Sequence, residues 1–338
     1  MKIGYHLSTE EHAANDLVEL GSTAEALGFD GLSVSDHFHP WGGEQQHSPF
    51  VWSVLGGLAH ATDEIEIGTL VTCPILRMHP ALVAHAAATT ATMLPDRFFL
   101  GLGSGERLNE HVLGQHWPDA GQRQAMLAEA IEVIRELFTG NLTTHRGEHF
   151  TVENARLYDV PADPPPIHVA AAGTGGAELA GRCGDGLVGL TPDRELVEAF
   201  TDAAGERRPV MGMIHVCVDE DEEAAREVVR TWWTIAGTPP TLNTELALPE
   251  HFEGVADLVD DERLVRDIVL GSDPTDHVEA LEAYADVGFD RVFVHQIGPD
   301  QDRLFDLYTR EVLPALHERS AASTEDDEPS LPRFAGVI

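Results

Sequence analysis

Basic residues are scarce in this chain, and their scarcity sets its charge. Among 338 residues there are 21 Lys and Arg against 58 Asp and Glu, the formal net charge is −37, and Lys2 is the only lysine. A surface with that charge repels nucleic acid and anionic lipid. We therefore expect no nucleic-acid partner and no membrane partner.

Cysteine and long apolar runs are also scarce. The three cysteines, Cys73, Cys183 and Cys217, are odd in number and far apart, which argues against a disulfide framework and for a reducing compartment. No run reaches the roughly 18 apolar residues that a membrane span needs. The first residues also lack the basic and then apolar profile of a signal peptide. These features predict a cytoplasmic protein.

The excess of acidic residues bears on the conditions in which the chain folds. Self-repulsion at this charge destabilises a compact fold in dilute buffer, whereas near 1 M salt the screening length falls to about 3 Å. Disorder is the competing explanation, but disordered chains lack the regular apolar segments that run through this sequence. We therefore predict a folded protein of an extreme halophile, with residues 318–338 as an acidic, flexible tail.

Short β-type runs alternate with longer helical patterns along residues 1–317. Eight alternations favour an α/β fold of the (β/α)8 TIM-barrel type, in one domain. A doubly wound open sheet gives the same alternation and stays open as an alternative. Residues 141–166 and 237–261 exceed ordinary loops and are predicted to be insertions. The eight β-type runs begin at Lys2, Gly31, Ile65, Phe98, Ile167, Gly186, Pro209 and Arg291, and the helical patterns include residues 14–27, 80–94, 123–138 and 220–235.

Polar and aromatic side chains crowd the end of the second β-type run, at Asp36, His37, His39 and Trp41. A barrel keeps its active site at such strand ends. Because an unperturbed imidazole titrates near neutrality, His37 is a candidate general base, and Trp41 offers a flat wall or an N–H donor. An ordinary loop histidine is the alternative interpretation.

Two glycine-rich exits follow later runs. Gly101, Gly103 and Gly105 precede Glu106, and such glycines let the backbone approach a planar ligand while a pocketed glutamate exchanges a proton. A tight turn with a solvated glutamate is the alternative. The segment 172–176 leads into a helix and is typical of a phosphate cradle. It is not a dinucleotide fingerprint, because no acidic residue follows in the required context about 20 residues later.

A metal site is the less favoured interpretation of the histidines on or after the β-type runs. Metal-dependent barrel hydrolases use paired ligands such as H-x-H on the first strand, where this chain offers His6 alone. His37 and His39 are the nearest match. We therefore predict no metal.

Taken together, these motifs resemble the luciferase-like barrel superfamily, and within it the coenzyme F420-dependent oxidoreductases close to the glucose-6-phosphate dehydrogenases. The similarity covers residues 2–317, and the acidity marks a variant of haloarchaeal type. Its most specific segments are VSDHFHPW from Val34, FLGLGSGERLNE from Phe99, YDVP from Tyr158, AAAGTGGAELAGRCGDG from Ala170, and GSDP with FVHQIGPDQDRLFDLY near the end.

The resemblance implies an oxidoreductase that transfers a hydride between an alcohol or sugar-type substrate and the deazaflavin F420. His37 would take the hydroxyl proton, Glu106 would manage the proton at the ring's N1, and Trp41 and Glu10 would line the substrate side. It also implies a homodimer and a cis peptide bond between Leu70 and Val71. The residues implied or proposed to hold the cofactor are Asp36, Leu70, Val71, Cys73, Ser104, Gly105, Asn109, Ala172, Gly173, Gly175 and Gly176.

Two rival functions remain open at this point. An FMN-dependent monooxygenase on the same barrel is the nearer one. A cofactor-binding protein without catalysis is the second, and the presence of both His37 and Glu106 argues against it.

The resemblance breaks where the family holds a sugar phosphate with two lysines and an arginine. One expected lysine falls at Asp193 or Arg194, and the expected arginine falls at Asp267 beside Arg266. The insertion 237–261 offers His251 but no lysine or arginine. Arg194 and Arg266 are the remaining candidates for substrate binding, and glucose 6-phosphate is predicted not to be the preferred substrate.

Overall fold

A computed structural model describes residues 1–326 of the chain. Within them the chain forms eleven strands, numbered in chain order. They are β1 Lys2–Leu7, β2 Gly31–Val34, β3 Glu66–Thr69, β4 Phe98–Leu102, β5 Thr143–Arg146, β6 Thr151–Ala155, β7 Ile167–Ala170, β8 Gly186–Gly189, β9 Val210–Cys217, β10 Ile268–Leu270 and β11 Arg291–Gln296.

Eight of these strands close into a parallel barrel in the order β1, β2, β3, β4, β7, β8, β9, β11 and back to β1. The closing ladders place Lys2 opposite Arg291 and Leu187 opposite Val210. These are the eight strands that the sequence predicts. The prediction of a TIM barrel is therefore confirmed, and the open-sheet alternative is wrong because the sheet has no free edge between β8 and β9.

Helices surround the barrel, and several begin where the sequence supplies a start signal. Asp119, Asp193 and Asp221 each accept a hydrogen bond from a backbone N–H of the helix that follows, and Pro80 and Pro274 occupy first-turn positions. The helices are α1 Ala14–Ala26, α2 Val51–Ala61, α3 Pro80–Met93, α4 Arg107–Glu110, α5 Ala120–Phe138, α6 Thr174–Cys183, α7 Arg194–Ala204, α8 Glu222–Trp232, α9 Pro240–Asn243, α10 Pro249–Ala256, α11 Asp261–Val265, α12 Pro274–Asp286, α13 Gln301–Leu307 and α14 Leu313–Asp326.

None of the helices in residues 1–326 has both the length and the apolar sequence that a bilayer span requires.

The remaining helical elements are short. They are 3-10 turns at His111–Leu113 and Thr234–Gly237 and a π-helical turn at Tyr308–Val312. Helix α14 includes the start of the predicted tail, and residues 327–338 lie outside the described residues. The boundary between domain and tail therefore stays a prediction.

Both predicted insertions carry secondary structure of their own. Residues 141–166 contain the antiparallel hairpin of β5 and β6, and residues 237–261 contain α9 and α10. After the second insertion, β10 pairs with the last residues of β9, with Ile268 opposite His215. The second insertion packs at the carboxyl end of β9, because Phe252 and Cys217 belong to one cluster of buried side chains.

The core has an inner and an outer part. Leu70, Phe99, Val188, Met211 and Phe293 pack in one cluster of strand and strand-exit residues. A larger cluster packs the strands against the helices. A third cluster includes Trp41, Trp233 and Phe252, and it joins the exit of β2 to the second insertion. This third cluster also includes Cys217, so the carboxyl ends of β2 and β9 are held in one region, which is where barrels bind ligands.

Candidate active site

A buried carboxylate and an imidazole meet where β1 and β2 end. The Glu10 side chain is 3% exposed, its Oε1 lies 3.2 Å from His37 Nδ1, and its Oε2 accepts a hydrogen bond of 2.5 Å from the Ser35 hydroxyl. Burial alone would raise the pKa of Glu10, but the His37 ring, the Ser35 hydroxyl and His6 outweigh it and lower that pKa to about 2. Glu10 is therefore a carboxylate at neutral pH and stabilises positive charge on His37.

The orientation of the His37 ring follows from its neighbours. Nδ1 lies 3.2 Å from the His39 carbonyl oxygen as well as near Glu10, and the ring packs against Trp41 with 4.8 Å between centroids. Both polar contacts use Nδ1. A proton on Nδ1 satisfies them, which leaves Nε2 as the nitrogen that can accept a proton from a substrate.

Beside this pair, Asp36 is held in an ion-paired cluster. Its Oδ1 accepts a hydrogen bond of 2.8 Å from Arg77 Nη2, and its Oδ2 accepts one of 2.8 Å from the Thr72 hydroxyl. Glu110 accepts a hydrogen bond of 2.8 Å from the Arg77 backbone N–H, and burial raises the pKa of Glu110. Arg77 therefore fixes the carboxylate of Asp36, a residue that the family resemblance implies at the cofactor.

The cis peptide bond that the resemblance implies is present between Leu70 and Val71. The glycine-rich exit of β4 lies flat against this segment: a Cβ at Gly103 would come within 2.6 Å of Val71, and one at Gly105 within 2.5 Å of Cys73 Sγ. Gly105 also has a φ of 74°, which favours glycine. Burial raises the pKa of Cys73, so it stays a neutral thiol in this wall.

Asn109 ties the exit of β4 to the exit of β2. Its Oδ1 accepts hydrogen bonds of 2.8 and 3.2 Å from the backbone N–H groups of Phe38 and His39, and its Nδ2 lies 3.5 Å from Glu106 Oε2. Glu106 and Ser104 are partly buried beside it. The same side chain therefore positions the loop of His37 and contacts Glu106.

The segment after β7 is exposed and leads into the start of α6. No side chain caps this helix, and a Cβ built on Gly173 or Gly175 would meet nothing within 4 Å. The backbone N–H groups of the first turn therefore have room for an anion, which the helix dipole favours. Ala172 and Gly176 flank these two glycines, and the role of the segment in binding a phosphate stays a prediction.

The two predicted substrate arginines differ in placement. Arg194 Nη2 donates a hydrogen bond of 3.0 Å to the Asp286 carbonyl oxygen, whereas Arg266 Nη2 lies 2.8 Å from Asp267 Oδ2. Arg266 and Asp267 line a cavity of about 460 Å³ below the second insertion, and Arg194 does not. Mainly apolar side chains complete the wall, among them Leu190, Ile214, Trp233, Leu264, Ile268, Val269 and Tyr284.

The comparisons with known proteins agree with this geometry. Residues 1–291 match the family described as luciferase-like monooxygenase. The chain belongs to this family. It is 36% identical over 330 residues to an F420-dependent glucose-6-phosphate dehydrogenase of Rhodococcus erythropolis, and also 36% identical over 330 residues to one of Mycobacterium avium. Each alignment covers 94% of this chain and 98% of the relative.

Solved structures of luciferase-like folds give the same result. An F420-dependent secondary alcohol dehydrogenase in complex with an F420-acetone adduct superposes with a TM-score of 0.87 and 31% identity, covering 93% of this chain and 98% of that one. The F420-dependent tetrahydromethanopterin reductase of Methanopyrus kandleri, at 22% identity and a TM-score of 0.75, supports the fold alone. The predicted family is therefore confirmed.

In this luciferase-like barrel, contacts that the sequence did not reveal hold the predicted residues in place. The sequence did not single out Arg77 and Glu110, because their burial and their ion pair depend on the fold. Among the side chains of residues 1–326 that the structure describes, no three His, Cys, Asp or Glu are arranged to hold a metal ion.

Proposed function

We propose that this protein is a coenzyme F420-dependent oxidoreductase acting on an alcohol or a related CH–OH donor. The observation that carries the proposal is the pairing of His37 with the buried Glu10 carboxylate beside Trp41. Relatives that are 36% identical and bear F420-dependent names support both the activity and the cofactor. F420 supplies a ring carbon that accepts or releases a hydride.

The residues of the chain have separable roles in this proposal. The backbone N–H groups at Gly173 and Gly175 bind the phosphate of the cofactor, and the wall of Val71 and Cys73 excludes water from the ring. His37 Nε2 accepts the proton of the substrate hydroxyl. Glu10 then stabilises the protonated imidazole through the contact at Nδ1.

Binding of F420 in preference to NADP and FMN is the first expected result. Equilibrium dialysis of the purified protein against each cofactor measures it directly. Gly173→Asp should weaken F420 retention, since its carboxylate would repel the phosphate, while Gly173→Ser is a matched control in a site with room for a side chain. Tight NADP binding would contradict the proposal, and preferential FMN binding would favour the monooxygenase.

Glucose 6-phosphate is expected not to be the preferred substrate. Asp267 already pairs with Arg266 at the cavity wall, and Asp193 caps α7 by accepting from the Glu195 N–H at 2.9 Å. A dianionic phosphate in this cavity would therefore meet the Asp267 carboxylate, where charge-assisted hydrogen bonds from basic side chains would contribute roughly 1.5 to 3 kcal/mol each. Steady-state F420 reduction with sugar phosphates, free sugars and simple alcohols checks this. Saturation by glucose 6-phosphate well ahead of every neutral substrate would contradict it.

We further propose that the protein is a cytoplasmic homodimer that needs high salt. The formal charge of −37 supports the salt requirement, because screening relieves self-repulsion. A cooperative melt at high temperature in dilute buffer would argue against it. The dimer is supported by the family resemblance.

A further inference from the structure

Three side chains that the proposed chemistry does not use, two of them buried and one partly buried, form a hydrogen-bonded line. Glu11 Oε2 lies 3.1 Å from His295 Nε2, and His295 Nδ1 lies 2.9 Å from His215 Nδ1. The Glu11 and His295 side chains are 0% and 1% exposed. The line therefore runs from the exit of β1 across β11 to β9.

The line ends at the cavity below the second insertion. His215 lines this cavity, and the Trp233 ring covers both imidazoles, with centroids 4.9 Å from His215 and 4.6 Å from His295. The Thr238 side chain also lines it. Thr238 is 5% exposed, and its hydroxyl has no hydrogen-bond partner within the described part of the chain. A largely apolar wall with a free hydroxyl and an imidazole is suited to a ligand with a polar oxygen.

The line has two consistent proton arrangements. When Glu11 is protonated, it donates to His295 Nε2, His295 donates from Nδ1 to His215, and the remaining proton of His215 lies on Nε2. When Glu11 is ionised, it accepts from His295 Nε2, His215 donates to His295, and His215 Nε2 carries a lone pair. One proton at Glu11 therefore decides whether His215 Nε2 donates or accepts.

We propose that Glu11, His295 and His215 form a proton relay that sets the hydrogen-bonding character of His215 Nε2 toward an uncharged ligand with a carbonyl or hydroxyl oxygen and an apolar remainder. The ligand is the substrate of the oxidoreductase, so this assignment rests on the proposed function. His215 is thereby a specificity-determining residue, and Glu11 and His295 are positioning residues.

The electrostatic surroundings determine the pH at which the relay changes from one proton arrangement to the other. Burial raises the pKa of Glu11 to about 8. Burial, followed by His295, lowers the pKa of His215 to about 3, and burial lowers that of His295 to about 4, so both rings are neutral while Glu11 titrates. Other titratable groups also interact electrostatically with Glu11, His295 or His215. They are Tyr5, His6, Glu10, His12 and Cys217.

The relay can be observed without any cofactor. Ring nitrogen NMR of histidine-labelled protein should show His215 and His295 changing tautomer together, with one midpoint near pH 8. His215→Gln and His295→Gln assign the two resonances. Glu11→Gln keeps the shape of the side chain and should abolish the transition. Glu19→Gln, at an exposed position of α1, should leave the transition unchanged. Absence of a shared transition in the unmodified protein would overturn the relay.

The ligand class is tested with 2-hexanone, whose oxygen only accepts hydrogen bonds. Calorimetry without F420 should show its Kd rising roughly five- to tenfold, the effect of losing about one hydrogen bond, as pH rises through the Glu11 transition. Glu11→Gln should make the Kd independent of pH, and Glu19→Gln should not. Failure of 2-hexanone to bind at any pH would overturn the ligand class. An unchanged pH dependence in Glu11→Gln would overturn the control of His215 by Glu11.

These readouts separate this inference from the proposed function. Absence of F420-dependent turnover, with the tautomer transition and the pH-dependent ketone binding intact, would reject the oxidoreductase and retain the relay. F420-dependent turnover without the tautomer transition would reject the relay and retain the oxidoreductase.

Discussion

Replacement of His37 by alanine is expected to lower kcat about 10²- to 10⁴-fold, the usual contribution of a positioned acid-base group. The reason lies in the contacts of the ring. Nδ1 is held by Glu10 and the His39 carbonyl, so Nε2 is the atom that meets the substrate hydroxyl. F420 retention should stay unchanged, because the cradle at Gly173 lies on another strand exit.

A control variant and a second active-site variant accompany this prediction. His60→Ala removes an exposed imidazole from α2 and should leave kcat unaltered. Glu10→Gln should also reduce kcat, because an amide cannot balance positive charge on His37. If His37→Ala keeps full turnover, His37 has no part in proton transfer.

Glu10 and Glu11 are adjacent in sequence and are expected to differ in charge at neutral pH. The His37 ring and the Ser35 hydroxyl overcome burial at Glu10 and lower its pKa to about 2, whereas burial and the negative charge of Glu10 raise the pKa of Glu11 to about 8. Environments that separate the pKa values of two neighbouring carboxyl groups are typical of functional sites.

The two shifts affect folding stability in opposite senses. Glu11 binds its proton more tightly in the folded state, so it contributes stability that is lost as pH rises towards about 8. Glu10 has a lowered pKa, so its contribution is present above the ordinary carboxyl range and is lost as pH falls towards about 2.

The sequence predicted the strands and the local motifs because both depend on near neighbours. The eight barrel strands follow from short apolar runs, and His37, Glu106 and Gly173 follow strands directly. It did not predict β5 and β6, since their short runs, such as Thr143–Arg146, are polar and half-exposed.

The supporting contacts were beyond local reasoning. Glu11 and His295 are 284 residues apart in the chain, and Asp36 and Arg77 are 41 apart. The pairing of β1 with β11 brings the first pair together, and the pairing of β2 with β3 brings the second pair together. The histidines on β9 and β11 were noticed as possible metal ligands, and their hydrogen bonds to one another gave them a different interpretation.

Replacement of Glu106 by glutamine is expected to lower kcat by a similar factor, about 10²- to 10⁴-fold, with F420 affinity intact. Glu106 precedes α4, is partly buried, and lies 3.5 Å from Asn109 Nδ2. Glutamine retains an oxygen for that contact, so the loop that Asn109 holds should keep its position. What glutamine loses is the ability to exchange a proton, which is the role proposed for Glu106 at the cofactor ring.

Kinetic measurements beside a cofactor titration distinguish that role from a structural one. A proton-transfer role predicts that kcat falls and its pH profile changes while the F420 Kd stays the same. A positional role predicts that the Kd rises, because the glycine-rich exit of β4 would shift against Val71 and Cys73. Glu148→Gln in the exposed hairpin provides the matched control. Full turnover by Glu106→Gln would remove this carboxylate from the chemistry and leave His37 as the remaining acid-base group of the site.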